Sequence, residues 1–196
     1  SNFEKSKMPI VALILTGYFL GSIPFAYLIS RNKGVNILKE GTGIPGAANV
    51  YRLVGPKYGA FVLFVDTLKA TSPVLIAKWQ GVSEWEALMV GLASLIGHWF
   101  PIFLRFRGGA GIASGLGIAI GMMPIEGLIA LLVGVGPGLR IFRSSGHATV
   151  LGVIAFIICC IAFGKSPELT FAVGSGILLV AIRRYSQVLY GKLKNK

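Results

Sequence analysis

Long runs of apolar residues, separated only by short basic segments, dominate this chain of 196 residues. Hydrophobic residues make up 54% of the sequence and charged residues only 13%, whereas about a quarter of a typical globular domain is charged. A water-soluble domain of this size would have too few polar side chains to cover its surface. The pattern therefore predicts an all-α integral membrane protein.

The apolar runs can be counted as membrane spans. A helix needs about 20 apolar residues to cross the hydrocarbon core, and fewer where the bilayer thins or a partner helix shields its ends. Seven transmembrane helices are predicted, at residues 9–30, 56–78, 86–104, 111–123, 125–139, 147–164 and 168–183. The fourth and fifth are short, and close helix packing is expected at their glycines, Gly117, Gly121, Gly127 and Gly134. A single re-entrant pair in their place is the alternative, which leaves five spans.

Basic residues predict the orientation of these spans. With the 31–55 loop placed in the cytoplasm, fourteen Lys and Arg residues fall on that side and four on the other. The cytoplasmic set is Arg31, Lys33, Lys39, Arg52, Lys57, Arg105, Arg107, Arg140, Arg143, Arg183, Arg184, Lys192, Lys194 and Lys196, and the opposite set is Lys5, Lys7, Lys78 and Lys165. Because positive loops stay inside, we expect the N-terminus outside, the C-terminus in the cytoplasm and an odd number of spans.

We expect a single polytopic membrane domain over residues 1–196. Residues 1–7 are interpreted as an expression remnant or a disordered extension, with Met8 as a plausible native start. Basic residues are scattered between apolar runs rather than clustered on one soluble face, so no nucleic-acid partner is expected. Trp79, Trp85 and Trp99 are interpreted as anchors at the membrane interface.

Motifs for metal or covalent chemistry are missing from the sequence. Cys159 and Cys160 are adjacent, cannot form an ordinary disulfide with each other and are interpreted as small buried hydrophobes. No metal-ligand spacing and no nucleophile motif of the hydrolases occurs. Neither a metal nor another cofactor is therefore expected.

The loop after the first span has the composition of an anion site. Three glycines fall within six residues, and they can turn the backbone through positive φ and direct N–H groups towards one point. These glycines are Gly41, Gly43 and Gly46. The hydroxyl of Thr42, the amide of Asn49 and the guanidinium of Arg52 can converge on that point, as in a phosphate site without metal. A flexible interhelical loop is the alternative.

A second glycine-rich loop covers residues 105–111 and immediately precedes a predicted helix. Glycines at a helix N-terminus with Arg107 nearby favour anion binding. The loop matches neither the P-loop nor the dinucleotide fingerprint, so nucleotide binding is not implied. Both basic glycine loops fall on the same predicted side of the membrane, which favours a shared function.

Ionisable residues also occur inside predicted spans. Asp66 and Lys69 lie three residues apart and so share one face of the second span. They form either a structural ion pair or a site in which Lys69 neutralises phosphate and Asp66 orients it. His98 is interpreted as a hydrogen-bonded helix lock rather than a base. Arg183 and Arg184 are first markers of topology and second candidates for the site.

Taken in order, these motifs resemble the bacterial acyl-phosphate glycerol-3-phosphate acyltransferases, the PlsY family. The matching segments span nearly the whole chain: Gly21-Ser22-Ile23-Pro24, Tyr27-Leu28-Ile29, the Gly41 to Arg52 loop, Asp66-x-x-Lys69, Gly97-His98 and Phe106 to Gly111. The resemblance implies a seven-helix enzyme of the bacterial inner membrane with its active site on the cytoplasmic face. Such an enzyme transfers a fatty acyl group from acyl phosphate to the 1-hydroxyl of glycerol 3-phosphate in phospholipid biosynthesis. Lysophosphatidic acid and phosphate are the products.

The resemblance also implies roles for individual residues. The expected catalytic residues are Thr42, Asn49, Arg52 and Lys69. The expected phosphate-binding residues are Gly41, Gly43, Gly46, Arg107, Gly108, Gly109 and Gly111. Arg184 and Gln187 would bind the acceptor, glycerol 3-phosphate or a related polyol phosphate, and Asp66 and His98 would be structural. The substrate's own phosphate would act as the base, and the acyl tail would lie between helices, open to membrane lipids.

Several positions depart from the family pattern. The first loop of the family usually reads Gly-Ser-Gly-Asn-x-Gly-Ala-Thr-Asn, the second Lys-Gly-Gly-Lys-Gly and the last motif Arg-His-x-x-Asn. The departures here are Thr42, Ile44, Ala48, Ala110, Arg184 and Gln187. They leave an alternative open: a repurposed or non-catalytic paralogue that binds or moves a phosphorylated lipid, or an enzyme that acylates another acceptor.

Overall fold

The computed structural model describes residues 8–135, 137 and 145–194, and all regular structure in these residues is helical. The helices are α1 (Ile10–Ser22), α2 (Phe25–Asn32), α3 (Ala47–Leu53), α4 (Pro56–Trp79), α5 (Glu84–Trp99), α6 (Ile112–Met122), α7 (Pro124–Ala130), α8 (Ser145–Ala162) and α9 (Pro167–Lys194). A 3₁₀ turn at Ile102–Leu104 follows α5, and a π-helical turn at Leu131–Val135 continues α7.

Four helical stretches are long and apolar enough to cross a membrane. They are Ile10–Asn32, Pro56–Trp79, Glu84–Leu104 and Pro167–Leu189. The longest has 24 residues, about 36 Å at 1.5 Å per residue, against a hydrocarbon core of about 30 Å. Three shorter apolar helices accompany them, at Ile112–Met122, Pro124–Val133 and Gly146–Ala162. The prediction of an all-helical membrane protein is confirmed.

Four of the predicted spans differ from the observed helices. In the third, α5 ends at Trp99 rather than at 104, and in the fifth the α-helix ends at Ala130 and a π-helical turn follows. The first was expected as one helix over 9–30, but it breaks between Ser22 and Phe25, because Pro24 has no N–H to donate and disfavours a helical conformation at Ile23. The last was expected to end at 183, but α9 continues to Lys194. Its polar final turns extend past the apolar segment. Residues 1–7, Arg140, Arg143 and Lys196 lie outside the described residues.

Glycines set how closely the helices approach one another. A Cβ atom on Gly21 of α1 would collide with the backbone oxygen of Ser94 on α5, and one on Gly97 with that of Tyr18. On α6, the hydroxyl of Thr71 donates to the backbone oxygen of Gly117 at 2.9 Å. The close packing predicted for Gly117, Gly121 and Gly127 is confirmed, since a Cβ at each would collide with a neighbour. The role of Gly134 stays a prediction.

The helix directions bring several helix ends together. Successive contacts pair Gly17 with Val90 and then Gly21 with Ser94, so α1 and α5 run in the same direction. Helix α9 also runs with α5, and Arg183 meets the end of α5 at Trp99. Helices α4 and α6 run the opposite way. The C-terminal ends of α1 and α5 therefore face the N-terminal half of α4 and the beginning of α6, where the candidate site lies.

Replacing Gly21 with Ala should destabilise the protein, because the added methyl has no space against the backbone of α5. We expect a loss of about 1–3 kcal/mol, typical of overpacking in a close-packed interface, and a lower thermal midpoint in detergent. Gly174→Ala is the matched control, since its Cβ would lie 3.7 Å from Ile157 in ordinary contact. A Gly21→Ala midpoint equal to that of Gly174→Ala would contradict the packing described here.

Candidate active site

The break between α1 and α2 is held by Lys69 of α4. Its Nζ donates to the backbone oxygen of Ile23 at 2.9 Å and lies 2.8 Å from Oδ1 of Asp66. It also lies 5.9 Å from the ring centre of Phe25, the first residue of α2. Both members of the ion pair are buried. Of the two alternatives that the sequence leaves open, this geometry favours the structural ion pair, because the ammonium group is already bound to Asp66 and to the backbone of Ile23.

His98 connects α5 to the second glycine loop. Its Nδ1 lies 4.0 Å from Oδ1 of Asp66, and its backbone oxygen accepts from the N–H of Gly109 at 3.3 Å. A Cβ at position 109 would lie 2.5 Å from Nε2 of His98. The buried imidazole thus leaves room only for glycine at this point of the loop.

Two further residues fasten the second loop. Nε1 of Trp99 donates to the backbone oxygen of Ala110 at 2.7 Å. The guanidinium of Arg183 donates to the backbone oxygens of Trp99 at 3.1 Å and of Gly109 at 3.4 Å. It also lies 5.1 Å from the ring centre of Trp99 and 4.7 Å from that of Phe100, distances typical of cation–π contacts. The loop is therefore bound to both α5 and α9.

The second loop offers unpaired N–H groups. Within the described part of the chain, the N–H groups of Gly108, Ala110 and Gly111 have no hydrogen-bond acceptor. Ala110 is only 8% exposed, and Gly111, at φ +93°, is the N-cap of α6. Buried donors without acceptors are costly, and at the N-terminus of a helix they form a ready site for an anion.

The first loop is organised by Asn49. This residue is 3% exposed, and its Oδ1 accepts from the N–H of Thr42 at 3.2 Å. Its Nδ2 donates to the backbone oxygens of Glu40 at 3.2 Å and Ile37 at 3.4 Å. The amide of Asn49, which is expected to be catalytic, is thus fully engaged with the loop backbone. Any effect that it has on a substrate passes through the loop.

The local backbone explains the glycines of this loop. Gly41 and Gly43 have φ values of +61° and +66°, a region that other residues rarely adopt. The hydroxyl of Thr42 accepts from the N–H of Ile44 at 3.4 Å. Gly46, at φ −170°, is extended and marks the start of α3, from which Arg52 projects into solvent.

The two loops meet over the buried ion pair. A Cβ on Gly109 would collide with the backbone oxygen of Pro45 in the first loop. Between the loops lies a narrow cleft, lined by the α1–α2 break, by Pro45, Asp66, Lys69 and His98, and by Gly108 and Gly109. Asp66 lies ten residues into α4, about 15 Å along that helix. The floor of the cleft therefore lies well within α4 and not at the end of that helix.

Several cations near the loops have no acidic partner. Arg52 of α3 and Arg184 of α9 lie close enough for their positive charges to interact. Among the described residues, no carboxylate lies within salt-bridge distance of Arg52, Arg107 or Arg184. Gln187 shares the face of Arg184 on α9, and its Oε1 is buried without a described partner. Two converging guanidinium groups without a counter-charge favour an anionic ligand.

The structure brings Pro45 of the first loop and Gly108 and Gly109 of the second together with Asp66, Lys69 and His98 around the cleft. The predicted residues of the first loop, Gly41, Thr42, Gly43, Gly46 and Asn49, do not line it. Arg184 and Gln187 belong to α9, the charge of Arg52 interacts with that of Arg184, and Arg107 is exposed. The indole of Trp99 is bonded to the second loop, whereas Trp79 and Trp85 are 67% and 51% exposed. The interpretation of the three tryptophans as anchors at the membrane interface stays a prediction. The contacts of Arg183 were not foreseen. No group of three or more potential metal ligands occurs among the described residues.

The amino-acid sequence is similar to those of several bacterial proteins named glycerol-3-phosphate acyltransferases. The glycerol-3-phosphate acyltransferase from Aquifex aeolicus (strain VF5) is 37% identical over 174 residues, covering 88% of this chain and 91% of the relative. Glycerol-3-phosphate acyltransferase 4 from Dehalococcoides mccartyi (strain CBDB1) is 42% identical over 142 residues, covering 72% of this chain. The matched part of the chain spans only 60% of that relative's length, and 64% of that of acyltransferase 5 of the same species.

Solved structures agree with the fold. The crystal structure of PlsY (YgiH), an integral membrane glycerol 3-phosphate acyltransferase, in its glycerol 3-phosphate form, matches with a TM-score of 0.81 and 34% identity. The match covers 91% of this chain and 90% of that one. The lysophosphatidic acid form of that protein matches with a TM-score of 0.79. The model of the glycerol-3-phosphate acyltransferase family matches residues 11–191, and the chain belongs to this family.

Proposed function

We propose that the protein transfers a fatty acyl group from acyl phosphate to the 1-hydroxyl of glycerol 3-phosphate, with lysophosphatidic acid and inorganic phosphate as products. The cleft carries this proposal, because Gly108, whose N–H group has no acceptor among the described residues, lines it beside the buried pair of Asp66 and Lys69. Arg52 and Arg184, whose charges lie close enough to interact, add cations without an acidic partner among the described residues. Support comes also from the relatives, which are named glycerol-3-phosphate acyltransferases. The similar PlsY structures are of glycerol 3-phosphate and lysophosphatidic acid forms.

The proposed reaction needs no covalent enzyme intermediate. The acceptor hydroxyl oxygen attacks the acyl carbonyl carbon, the bond from that carbon to the phosphate oxygen breaks, and the hydroxyl proton passes to the departing phosphate. Phosphate is a good leaving group, so the protein must mainly align the reactants and stabilise the developing negative charge. A site with two anion-binding loops and surplus cations suits these tasks.

The residues divide between the two substrates in this proposal. The unpaired N–H groups of the second glycine loop, with Arg52 and Arg107, bind the donor phosphate. Lys69, although paired with Asp66, lines the cleft and adds positive potential. Thr42 and Asn49 act by shaping the first loop.

Arg184 and Gln187 bind the acceptor phosphate, and the proximity of Arg52 to Arg184 brings the two phosphates together. The family's second loop usually carries a lysine where this chain has Ala110. Arg184 supplies a cation from another helix, which supports retention of an acceptor site.

We also propose seven spans in the bacterial inner membrane, with the cleft facing the cytoplasm. Four full-length spans and three shorter apolar helices make seven. This is an odd number, as the proposed placement of the two termini on opposite sides of the membrane requires. Helix α1 begins at the end of the bundle remote from the loops, and α9 ends on the loop side. This arrangement is consistent with the excess of basic residues on the loop side.

The reaction is tested by phosphate release from palmitoyl phosphate with and without glycerol 3-phosphate. Arg52→Ala should lower kcat/KM by about 100-fold or more, the usual effect of removing one donor that stabilises developing charge. Arg31→Ala is the matched control, since Arg31 is an exposed cation at the end of α2 and should leave turnover unchanged.

Release that depends on glycerol 3-phosphate supports the proposed reaction. Wild-type turnover in the Arg52→Ala variant would overturn the role of Arg52. Release without an acceptor, above background hydrolysis, would indicate a different acceptor. A protein that binds palmitoyl phosphate without releasing phosphate would instead be the repurposed paralogue.

Arg184 is tested by two substitutions. Arg184→Ala should raise the KM for glycerol 3-phosphate about tenfold or more, because it removes a charge-assisted contact. Arg184→His restores the residue usual in the family and should retain more affinity than the alanine variant. The KM for palmitoyl phosphate should change little in either variant. An unchanged KM for glycerol 3-phosphate in Arg184→Ala would contradict the assignment.

Orientation is tested by thiol labelling in a Cys159→Ala, Cys160→Ala background. Lys39→Cys places a thiol in the first loop, and Gln80→Cys places one in the turn after α4. A membrane-impermeant maleimide should label position 80 in spheroplasts and position 39 only in inside-out vesicles. The reverse pattern would overturn the proposed orientation.

A further inference from the structure

We propose that Arg183 is a positioning residue, which holds the second glycine loop in the conformation that binds the donor phosphate. The inference rests on the proposed function for the identity of the ligand. The geometry of the loop itself does not depend on that function. Arg183 lies next to Arg184 in sequence but has different contacts.

Arg183 is anchored entirely by neutral groups. Its Nη2 and Nε donate to the backbone oxygens of Trp99 and Gly109, and its guanidinium lies over the rings of Trp99 and Phe100. In the described part of the chain, no carboxylate comes within salt-bridge distance of it. A half-buried cation that binds two carbonyls is suited to fixing the backbone.

The direction of those carbonyls determines the direction of the free N–H groups. In a trans peptide the C=O of one residue and the N–H of the next point in opposite directions. Because the oxygen of Gly109 is held by Arg183, the N–H of Ala110 points away from α9. Because the oxygen of Ala110 is held by Trp99, the N–H of Gly111 points away from the indole. These two N–H groups are among those without an acceptor.

Arg183 also keeps Trp99 in place. The indole donates to the loop at 2.7 Å, and the guanidinium stacks on its ring and binds its backbone oxygen. A lysine at position 183 would keep the positive charge, but its single ammonium group has no planar fork to bind two carbonyls while stacking on a ring. Arg183→Lys therefore keeps the positive charge at this position and removes the contacts that depend on the shape of the guanidinium group.

The kinetic test compares two neighbouring conservative variants. Arg183→Lys should raise the KM for palmitoyl phosphate about tenfold and lower kcat, while the KM for glycerol 3-phosphate changes less than twofold. Arg184→Lys, the matched control, should affect the KM for glycerol 3-phosphate and leave the donor KM near wild type. Wild-type donor kinetics in Arg183→Lys would overturn the proposal. Equal rises in both KM values with a lower thermal midpoint would reduce Arg183 to a structural role and also overturn it.

A binding test gives a readout that does not require turnover. Trp79→Phe and Trp85→Phe replace two exposed indoles, which leaves Trp99 as the only tryptophan in the sequence. Titration with inorganic phosphate should change Trp99 fluorescence, and Arg183→Lys should weaken the fitted Kd about tenfold. No phosphate-dependent change in the parent, or equal Kd values, would overturn the proposal. If phosphate binds with the expected difference but no acyl transfer occurs, the proposed function fails and the role of Arg183 stands.

Discussion

The hydrogen bond from Lys69 to the backbone of Ile23 is the interaction on which the site depends. A helix that breaks within a membrane exposes backbone oxygens that no water can satisfy, and each must find a partner in the protein. Lys69 supplies that partner, and Asp66 balances its charge. The break between α1 and α2 can therefore persist at the depth where the glycine loops fold inwards. Removing one partner of such a buried pair leaves an uncompensated charge, which is far more damaging than replacing both.

Features recorded in local composition could be predicted from the sequence. The apolar runs predict the membrane helices, and the clusters of glycine and arginine predict the two loops. Both predictions are possible because these residue types determine the conformation of the backbone next to them. The break at Pro24 also has a local cause. It was not predicted because the residues on both sides of it are apolar, so that a hydropathy profile shows one continuous span. The predicted length of α9 is too short because its last turns are polar. Hydropathy marks only the apolar part of a helix, and α9 continues beyond that part.

Contacts between distant segments could not be predicted in the same way. Arg183 binds Gly109 across 74 positions and Trp99 across 84, and nothing near Arg183 in sequence records these partners. The same limit applies to Lys69, which reaches Ile23 across 46 positions. Both residues were recognised as charges inside or beside spans. Whether such a charge faces a ligand or a backbone carbonyl depends on tertiary packing.

The depth of the cleft has a consequence for how the two proposed substrates arrive. The buried ion pair beneath it lies about 15 Å along α4 from its first residue, within a helix that is long and apolar enough to cross a membrane. An acyl phosphate already resides in the membrane with its phosphate at the headgroup level, so it can enter sideways without leaving its leaflet. Glycerol 3-phosphate must come from water and descend between basic loops. In the proposed reaction, acylation then converts this water-soluble molecule into a lipid at the place where it will remain.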